Sequence, residues 1–298
     1  MAIGFRQVGL IAKNSDQRVV ETLEALGELL AGSDVAFALD SVTAEGLERW
    51  RHPVASMDEL AARCDLVIVV GGDGTLLNTV RHFAARPIPL VGINLGRLGF
   101  LTDIPANRAT EDVHGILHGE YDRDERAMLH GRIQSGNETR SEDIALNDVV
   151  LHKADGGRMI EFETWVNGAF VSLHRADGMV AATATGSTAY ALSGGGPILH
   201  PSLGGLTLVP ICPHTLSDRP LVIPDNAEVE FVLRGDPDGE GQVHWDGQKT
   251  AGMRAGDCLR IRRAEQATTL LHPPGYDYFA LLRSKLHWGR AQDGGVPR

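Results

Sequence analysis

Asp65-Leu66-Val67-Ile68-Val69-Val70 runs without a break into Gly71-Gly72-Asp73-Gly74-Thr75. Five consecutive apolar residues closed by glycines fit a strand covered on both faces, as in a parallel sheet. The next segment repeats apolar residues at helical spacing, with Leu76, Val80, Phe83 and Ala84 on one side. The local order is therefore strand, glycine turn, helix. Ligands of open α/β sheets bind beyond the carboxyl ends of the strands. Glycine lets the backbone approach a phosphate, and a helix N-terminus favours negative charge. An acid in such a turn sits where an alcohol meets a phosphoryl donor, so the pentapeptide points to phosphoryl transfer. Read alone, it is equally well a tight turn. It is not a P-loop, because no Gly-Lys-Ser/Thr follows, and it lacks the third glycine of the dinucleotide fingerprint.

Outward from this stretch, the first part of the chain alternates strands and helices. Strands are expected at Val8-Gly9-Leu10-Ile11-Ala12, Val35-Ala36-Phe37-Ala38-Leu39 and Pro89-Leu90-Val91-Gly92-Ile93. Val19, Leu23, Leu26 and Leu30 mark one helix face, and Val113, Ile116 and Leu117 another. A second glycine loop, Asn94-Leu95-Gly96-Arg97-Leu98-Gly99-Phe100, follows the strand at Pro89. The alternation implies a layered parallel sheet. Near Arg126 the pattern changes to short strand-like segments and turns. Asn167-Gly168 between two such segments is a strong hairpin signal, and Asp236-Pro237-Asp238-Gly239 and Asp246-Gly247 read as turns. Further strands are expected at 206–209, 229–233 and 258–261. A final helix at 278–286 is expected to bury Phe279, Leu282 and Leu286 and to return to the first domain, with a frayed tail after Gly289. The expected organisation is a Rossmann-like α/β domain over 1–125, an all-β sandwich over 126–272, and a C-terminal helix over 273–298 packing back on the first domain.

The chain has 298 residues and is 43% hydrophobic, enough for two packed domains. Its 28 basic and 39 acidic residues give a formal charge of −11. That surface is a poor match for a nucleic-acid backbone or an anionic membrane, so neither is expected as a partner. An anionic substrate then needs a locally basic or amide-lined pocket. Cys64, Cys212 and Cys258 are isolated in sequence and without metal-like spacing, and are expected as buried or half-buried free thiols. With no signal-like or membrane-length apolar run, the expected location is cytoplasmic.

A second cluster runs from Asp177-Gly178 through Thr185-Gly186-Ser187-Thr188-Ala189-Tyr190 to Ser193 and Gly194-Gly195-Gly196-Pro197. Its small side chains would let a flat ligand and its ribose lie against backbone, with hydroxyls as adaptable donors and acceptors. It also reads as a glycine-rich connection. Two motifs of different chemistry, one per domain, point to a cleft between them.

Here the chain resembles a known family. Gly71 to Thr75, Asn94 to Asp103, Asn147-Asp148, Asp177-Gly178, Thr185 to Tyr190, Pro213-His214-Thr215-Leu216 with Arg219-Pro220, and Asp246-Gly247-Gln248 resemble bacterial NAD kinases, in order, over nearly the whole chain. The Gly-Gly-Asp-Gly motif is shared with 6-phosphofructokinases and lipid kinases; the Thr-Gly-Ser-Thr-Ala-Tyr block is far more specific. The resemblance implies an α/β domain, a β-sandwich and a returning helix. It implies transfer of the γ-phosphoryl of ATP, or of polyphosphate in some members, to the 2′-hydroxyl of the adenosine ribose of NAD. It further implies a homodimer or homotetramer. Mg²⁺ or another divalent cation is expected to arrive with ATP, and the sequence shows no dedicated metal cage. Carried over by residue, Asp73 matches the catalytic acid, with Gly72 and Gly74 beside it. Phe100 matches a position near the adenine, and Asn147 and Asp148 a nucleoside-binding pair. Asp177, Thr185, Thr188, Ala189, Tyr190 and Ser193 match contacts to NAD, and Arg158, Arg175 and Gln248 further ligand positions. Ala184 departs from the family, where many members carry proline.

Two other readings stay open on the sequence. A lipid kinase would use the same glycine–aspartate turn but needs an apolar acceptor pocket. A non-catalytic dinucleotide sensor would bind without transfer.

Overall fold

The structure, a computed structural model, describes residues 4–13, 16–47, 49–86, 88–96, 99–154, 158–235 and 240–288. The turn expected at 236–239, positions 97–98 of the second glycine loop and the tail from 289 lie outside the described residues. The chain divides into two compact units, one of residues 1–124 with 269–298, the other of 125–268.

Unit 1 begins with β1 (Gln7–Ala12), α1 (Gln17–Ala31), β2 (Ala36–Asp40), α2 (Ser41–Ala44), β3 (Val54–Ala55) and α3 (Met57–Arg63). It continues with β4 (Leu66–Val70), α4 (Asp73–Phe83), β5 (Leu90–Asn94), β6 (Ile104–Pro105) and α5 (Ala109–Leu117). The strands form a parallel sheet in the order β3-β2-β1-β4-β5, with β6 beside β5. Every residue of β4 and β5 is buried, which is why β4 is written as an unbroken apolar run. The core gathers Leu10, Leu66, Ile68, Val91 and Ile93 from the sheet with Leu23, Leu26 and Leu30 of α1 and Val113 and Ile116 of α5. Asp16 caps α1 by accepting from the amides of Arg18 and Val19, and Ser56 and Glu59 form a capping box on α3.

Unit 2 is built from β7 (Asp122–Ser135), β8 (Glu138–Ala145), β9 (Asp148–Lys153), β10 (Ile160–Val166), β11 (Ala169–Ala176) and β12 (Gly178–Thr183). After it come α6 (Tyr190–Ser193), β13 (Gly205–Ile211), β14 (Leu221–Pro224), β15 (Val229–Arg234), β16 (Glu240–Trp245), β17 (Lys249–Arg254) and β18 (Cys258–His272). One antiparallel sheet has the order β14-β13-β12-β9-β16-β17, and the other contains β11-β10-β15-β18 and the pair β7-β8. Alternate residues of both sheets meet in one core, with Phe162, Phe231, Leu259 and Ile261 on one side and Val149, Leu151, Ala181, Val243 and Trp245 on the other. This is the expected sandwich, but β7 and β18 are long strands rather than short ones, and each carries the chain from one unit into the other. The hairpin at Asn167-Gly168 forms with φ of 50° and 76°, as a type I′ turn requires.

The last helix, α7 (Tyr278–Leu286), belongs to unit 1, as expected, but its face is different. Tyr278, Leu281 and Leu282 are buried, whereas Phe279 is 58% exposed and Leu286 only half-buried. Tyr278 takes the inward place of its neighbour, which turns the buried stripe by one residue. The thiols also differ from expectation. Cys64 is buried and Cys258 half-buried, and burial pushes both up to about 11, but Cys212 is exposed. Among the described residues no helix is long and apolar enough to cross a membrane.

Candidate functional site

In unit 1 the chain runs from β1 outward to β2 and β3, then crosses back to place β4 and β5 on the other side of β1. The switch point lies between β1 and β4, where an open α/β sheet offers a crevice at its carboxyl edge. A cleft of about 480 Å³ occupies that edge. Its walls are Lys13 and Asp16 after β1, Gly71, Gly72 and Thr75 after β4, and Asn94 at the end of β5 with Leu95 and Gly96 beyond it. Gly71 is required by packing, because an added Cβ would stand 2.7 Å from Thr75 Oγ1. Asn94 is fixed at both ends of its amide: Nδ2 donates to Thr102 Oγ1 at 2.9 Å, and Oδ1 accepts from the Gly96 amide at 2.8 Å.

Helix α4 starts earlier than the apolar spacing indicates, with Gly72 as its N-cap and Asp73 as its first residue. The Asp73 carboxylate is caged by backbone. Its Oδ1 accepts from the amides of Leu101 and Thr102 and from the Thr102 hydroxyl, each at 3.1 Å, and its Oδ2 accepts from the Phe100 amide at 2.8 Å. Gly99 closes this turn by donating to Thr102 O at 2.9 Å. Phe100 thus enters through its amide, while its ring lies 5.6 Å from Lys285 Nζ of α7.

A second cleft, of about 560 Å³, lies in unit 2. Asn147, Asp148, Ala189 and Tyr190 line it, together with Val150, His152, Gln242, His244, Asp246 and Gly247. Strand pairing explains the grouping. β9 lies between β12 and β16, so Asp148, Val150 and His152 share a face with Gln242 and His244. On that face Val150, Val180, Ala182, Val209 and Ile211 pack under Ala191 of α6. The Asn147-Asp148 segment is itself caged: Asp246 accepts from the amides of Leu146 at 2.9 Å, Asn147 at 2.7 Å and Asp148 at 3.1 Å. Burial, and then the neighbouring charge of Asp246, push the Asp148 carboxyl up to about 7. Tyr190 is 42% exposed, and its phenol is raised by partial burial, then by Cys212, Asp148 and Asp177.

The small-residue block is more structural than its composition indicates. Ser187 is wholly buried; its hydroxyl donates to Ala184 O at 2.6 Å and accepts from the Leu199 amide at 2.9 Å. Gly186 packs so closely on Asn147 that an added Cβ would stand 2.7 Å from the Asn147 Cα. Thr185 is buried and accepts from Arg126 at 3.2 Å, and Thr188 donates to Thr185 O at 3.2 Å. Asp177 pairs with Lys153 at 2.8 Å. Arg158, Arg175, Ser193 and Gln248 are exposed. None of these residues lines either cleft, so of the unit 2 candidates only Asn147, Asp148, Ala189 and Tyr190 are gathered in one place. Asp246, His152, Gln242 and His244 were not among the expected site residues, although Asp246 stands in a motif that carried the resemblance.

Comparison with known proteins adds the chemistry. Residues 8–121 match the family model described as the ATP-NAD kinase N-terminal domain, and 146–272 the ATP-NAD kinase C-terminal domain. The NAD kinase of Aromatoleum aromaticum is 47% identical over 290 residues, covering 97% of this chain and 96% of that protein. The NAD kinase of an Azoarcus species is 45% identical over 299 residues, covering 100% and 99%. An NAD kinase from Archaeoglobus fulgidus, solved in complex with ATP, superposes with a TM-score of 0.73 at 26% identity, covering 94% of this chain and 98% of its own. Yeast NADH kinase, solved with NADH, shares the fold with a TM-score of 0.89 at 22% identity, covering 97% and 89%.

Proposed function

This chain belongs to the NAD kinase family, and on that premise we propose that it transfers the γ-phosphoryl group of ATP to the 2′-hydroxyl of the adenosine ribose of NAD, giving NADP. The observation that carries the mechanism is the Asp73 cage. An ionised carboxylate only accepts hydrogen bonds, with about two positions per oxygen. Among the described residues Oδ1 receives three donors and Oδ2 one, which leaves Oδ2 the less occupied of the two acceptors. In our reading Oδ2 receives the ribose hydroxyl and aims its oxygen at the γ-phosphorus. The carboxylate takes the proton as the new P–O bond forms and the bond to ADP breaks. Phosphoryl transfer asks a protein for little more than this positioning and for charge neutralisation.

Much of that neutralisation would come from Mg²⁺ delivered with ATP. Among the described residues no group of three or more His, Cys, Asp or Glu is placed to hold a metal. In the proposal the cation's oxygen ligands would come from phosphates and water. The cleft at Gly71-Gly72 and Lys13 takes the phosphates, and the cleft at Asn147, Asp148, Ala189 and Tyr190 takes nucleoside parts of the dinucleotide. The remaining candidates stay in the proposal as contacts made on binding. A cytoplasmic homodimer or homotetramer is the proposed working form, to be checked by light scattering on the purified protein.

The test is NADP formation from NAD, ATP and Mg²⁺, read through an NADP-specific dehydrogenase, with Asp73→Asn alongside. Turnover by the parent that collapses in the variant, with NAD binding kept, supports both reaction and residue. NAD binding without NADP identifies a dinucleotide sensor, and near-normal turnover of Asp73→Asn removes Asp73 from the mechanism.

A further inference from the structure

The chain re-enters unit 1 at the end of β18, where His272 is 1% exposed. Its Nδ1 lies 2.8 Å from Asp103 Oδ2, and its Nε2 lies 3.5 Å from Asp124 Oδ2. Tyr276 stacks on the ring with centroids 3.9 Å apart. Asp103 directly follows Thr102, whose amide and hydroxyl both donate to Asp73 Oδ1. On its other side, Ile104 is fixed by pairing with Ile93 of β5. The segment that cages Asp73 is therefore held at its far end by a strand pair and by a buried histidine.

We infer that His272 is a positioning residue for Asp73: as an imidazolium bridging Asp103 and Asp124, it holds residues 100–103 and so sets where the Asp73 carboxylate stands. The inference rests on the reading that Asp73 orients the acceptor hydroxyl. A neutral imidazole donates one hydrogen bond, an imidazolium two. Nδ1 is hydrogen-bonded to Asp103, while Nε2 meets Asp124 only at the ion-pair distance of 3.5 Å, so the charge of the cation, more than a second hydrogen bond, answers both carboxylates. Burial pulls the imidazole down, but hydrogen bonds and charges from Asp103 and Asp124 together outweigh it and leave it above the ordinary histidine value. Among the described residues the groups facing the ring are Asp103 from the segment before β6, Asp124 from β7, and Tyr276 beyond β18. Behind Asp103, Asp112 on α5 feels its charge and is itself paired with Arg108 at 2.7 Å. The bridge is thus present below the raised value and is lost as pH rises through it. Asp103 then loses its charged partner, and the Asp73 cage loosens.

The test compares the pH dependence of kcat in the full chain and in Asp124→Asn, with the His272 ring followed by ¹⁵N NMR. Removing one facing charge moves the His272 titration to lower pH. If the inference holds, the alkaline limb of kcat moves with it by the same amount, while KM for NAD and ATP changes less than about threefold. His272→Gln keeps a donor but not the charge; it should lower kcat about tenfold and erase that limb, a sub-ångström misplacement being enough for such a loss. A displaced NMR titration with an unmoved alkaline limb overturns the inference, as does wild-type kcat in a folded His272→Gln. A parent protein that makes no NADP fails the underlying reading instead, which the first assay reveals, and the inference falls with it.

Discussion

Gly99→Ala tests the Asp73 cage without replacing any residue proposed to meet substrate. A Cβ at Gly99 would stand 2.7 Å from Asp73 Cγ, and closer still to Asp73 Oδ1 and Thr102 Oγ1. Carbon atoms in contact sit about 3.5–4.0 Å apart, so the carboxylate must retreat by about 1 Å. It cannot do so and keep all four donors, which come from a turn closed by Gly99 itself. Losing two hydrogen bonds to a charged acceptor costs about 3 kcal/mol of stability, at the low end of the usual range. A misplacement of about 1 Å costs about a hundredfold in rate. The assay is initial-rate NADP formation at varied NAD and ATP, with a thermal melt of the same preparation. The expected result is a folded protein with kcat lowered about a hundredfold and both KM values within about threefold. Gly252→Ala is the control, because nothing lies within 4 Å of the added Cβ. A folded Gly99→Ala with kcat within about threefold of the parent would show that the cage does not place the reacting carboxylate.

The Asp148 carboxyl, pushed up to about 7, holds a proton in the folded chain that the unfolded chain releases near pH 4. Stability from this group is full below about pH 4 and falls as pH rises towards about 7, by up to about 4 kcal/mol. Melts of Asp148→Asn should therefore show a gain over the parent at pH 8 that fades at pH 5; an equal effect at both would refute the protonation argument. Ser187→Ala removes the acceptor of the Leu199 amide in a wholly buried place and should destabilise unit 2 by about 1–3 kcal/mol, read as a lowered urea midpoint. Chelation by EDTA should abolish turnover, and Mg²⁺ should restore it without changing the circular dichroism spectrum, because the metal is proposed to travel with ATP; loss of fold on chelation would contradict this.

What the sequence made legible was what local physics controls. A strand buried on both faces has to be continuously apolar, so β4 and its glycine turn could be read directly. Asn167-Gly168 and Asp246-Gly247 both adopt positive φ, and their residue types announced it. What stayed hidden depends on partners far along the chain. Asp73 is caged by residues 27 to 29 positions away, and Asp246 by residues 98 to 100 positions away. Arg126 gave no sign in sequence of being buried against Thr185. The helices α2 and α3 are four and seven residues long, too short for apolar periodicity to show them. Only the Ser56–Glu59 capping box could have marked α3. The small-residue block misled in part, since composition does not separate residues that meet a ligand from residues such as Gly186 and Ser187 that let backbones approach.

The two units use one device for two purposes, and this sets how the Asp73 variant has to be read. In each, a single aspartate collects three consecutive backbone amides: 100–102 on Asp73 and 146–148 on Asp246. A carboxylate so anchored is preorganised and needs no rearrangement when a substrate arrives. But an amide in its place accepts through one oxygen only, so Asp73→Asn removes a proton acceptor and weakens a cage at once. Loss of turnover in that variant does not by itself separate the two. Asp246→Asn supplies the comparison, because it weakens the same kind of cage where no bond to phosphorus is proposed to form. The expected outcome is similar destabilisation in both variants, by about 1–3 kcal/mol. Asp246→Asn should raise KM for NAD by about tenfold with kcat little changed, whereas Asp73→Asn should lower kcat by at least a hundredfold. If Asp246→Asn loses kcat as severely, the collapse in Asp73→Asn follows from a disordered loop, and the role of Asp73 is to hold residues 100–102 rather than to take a proton.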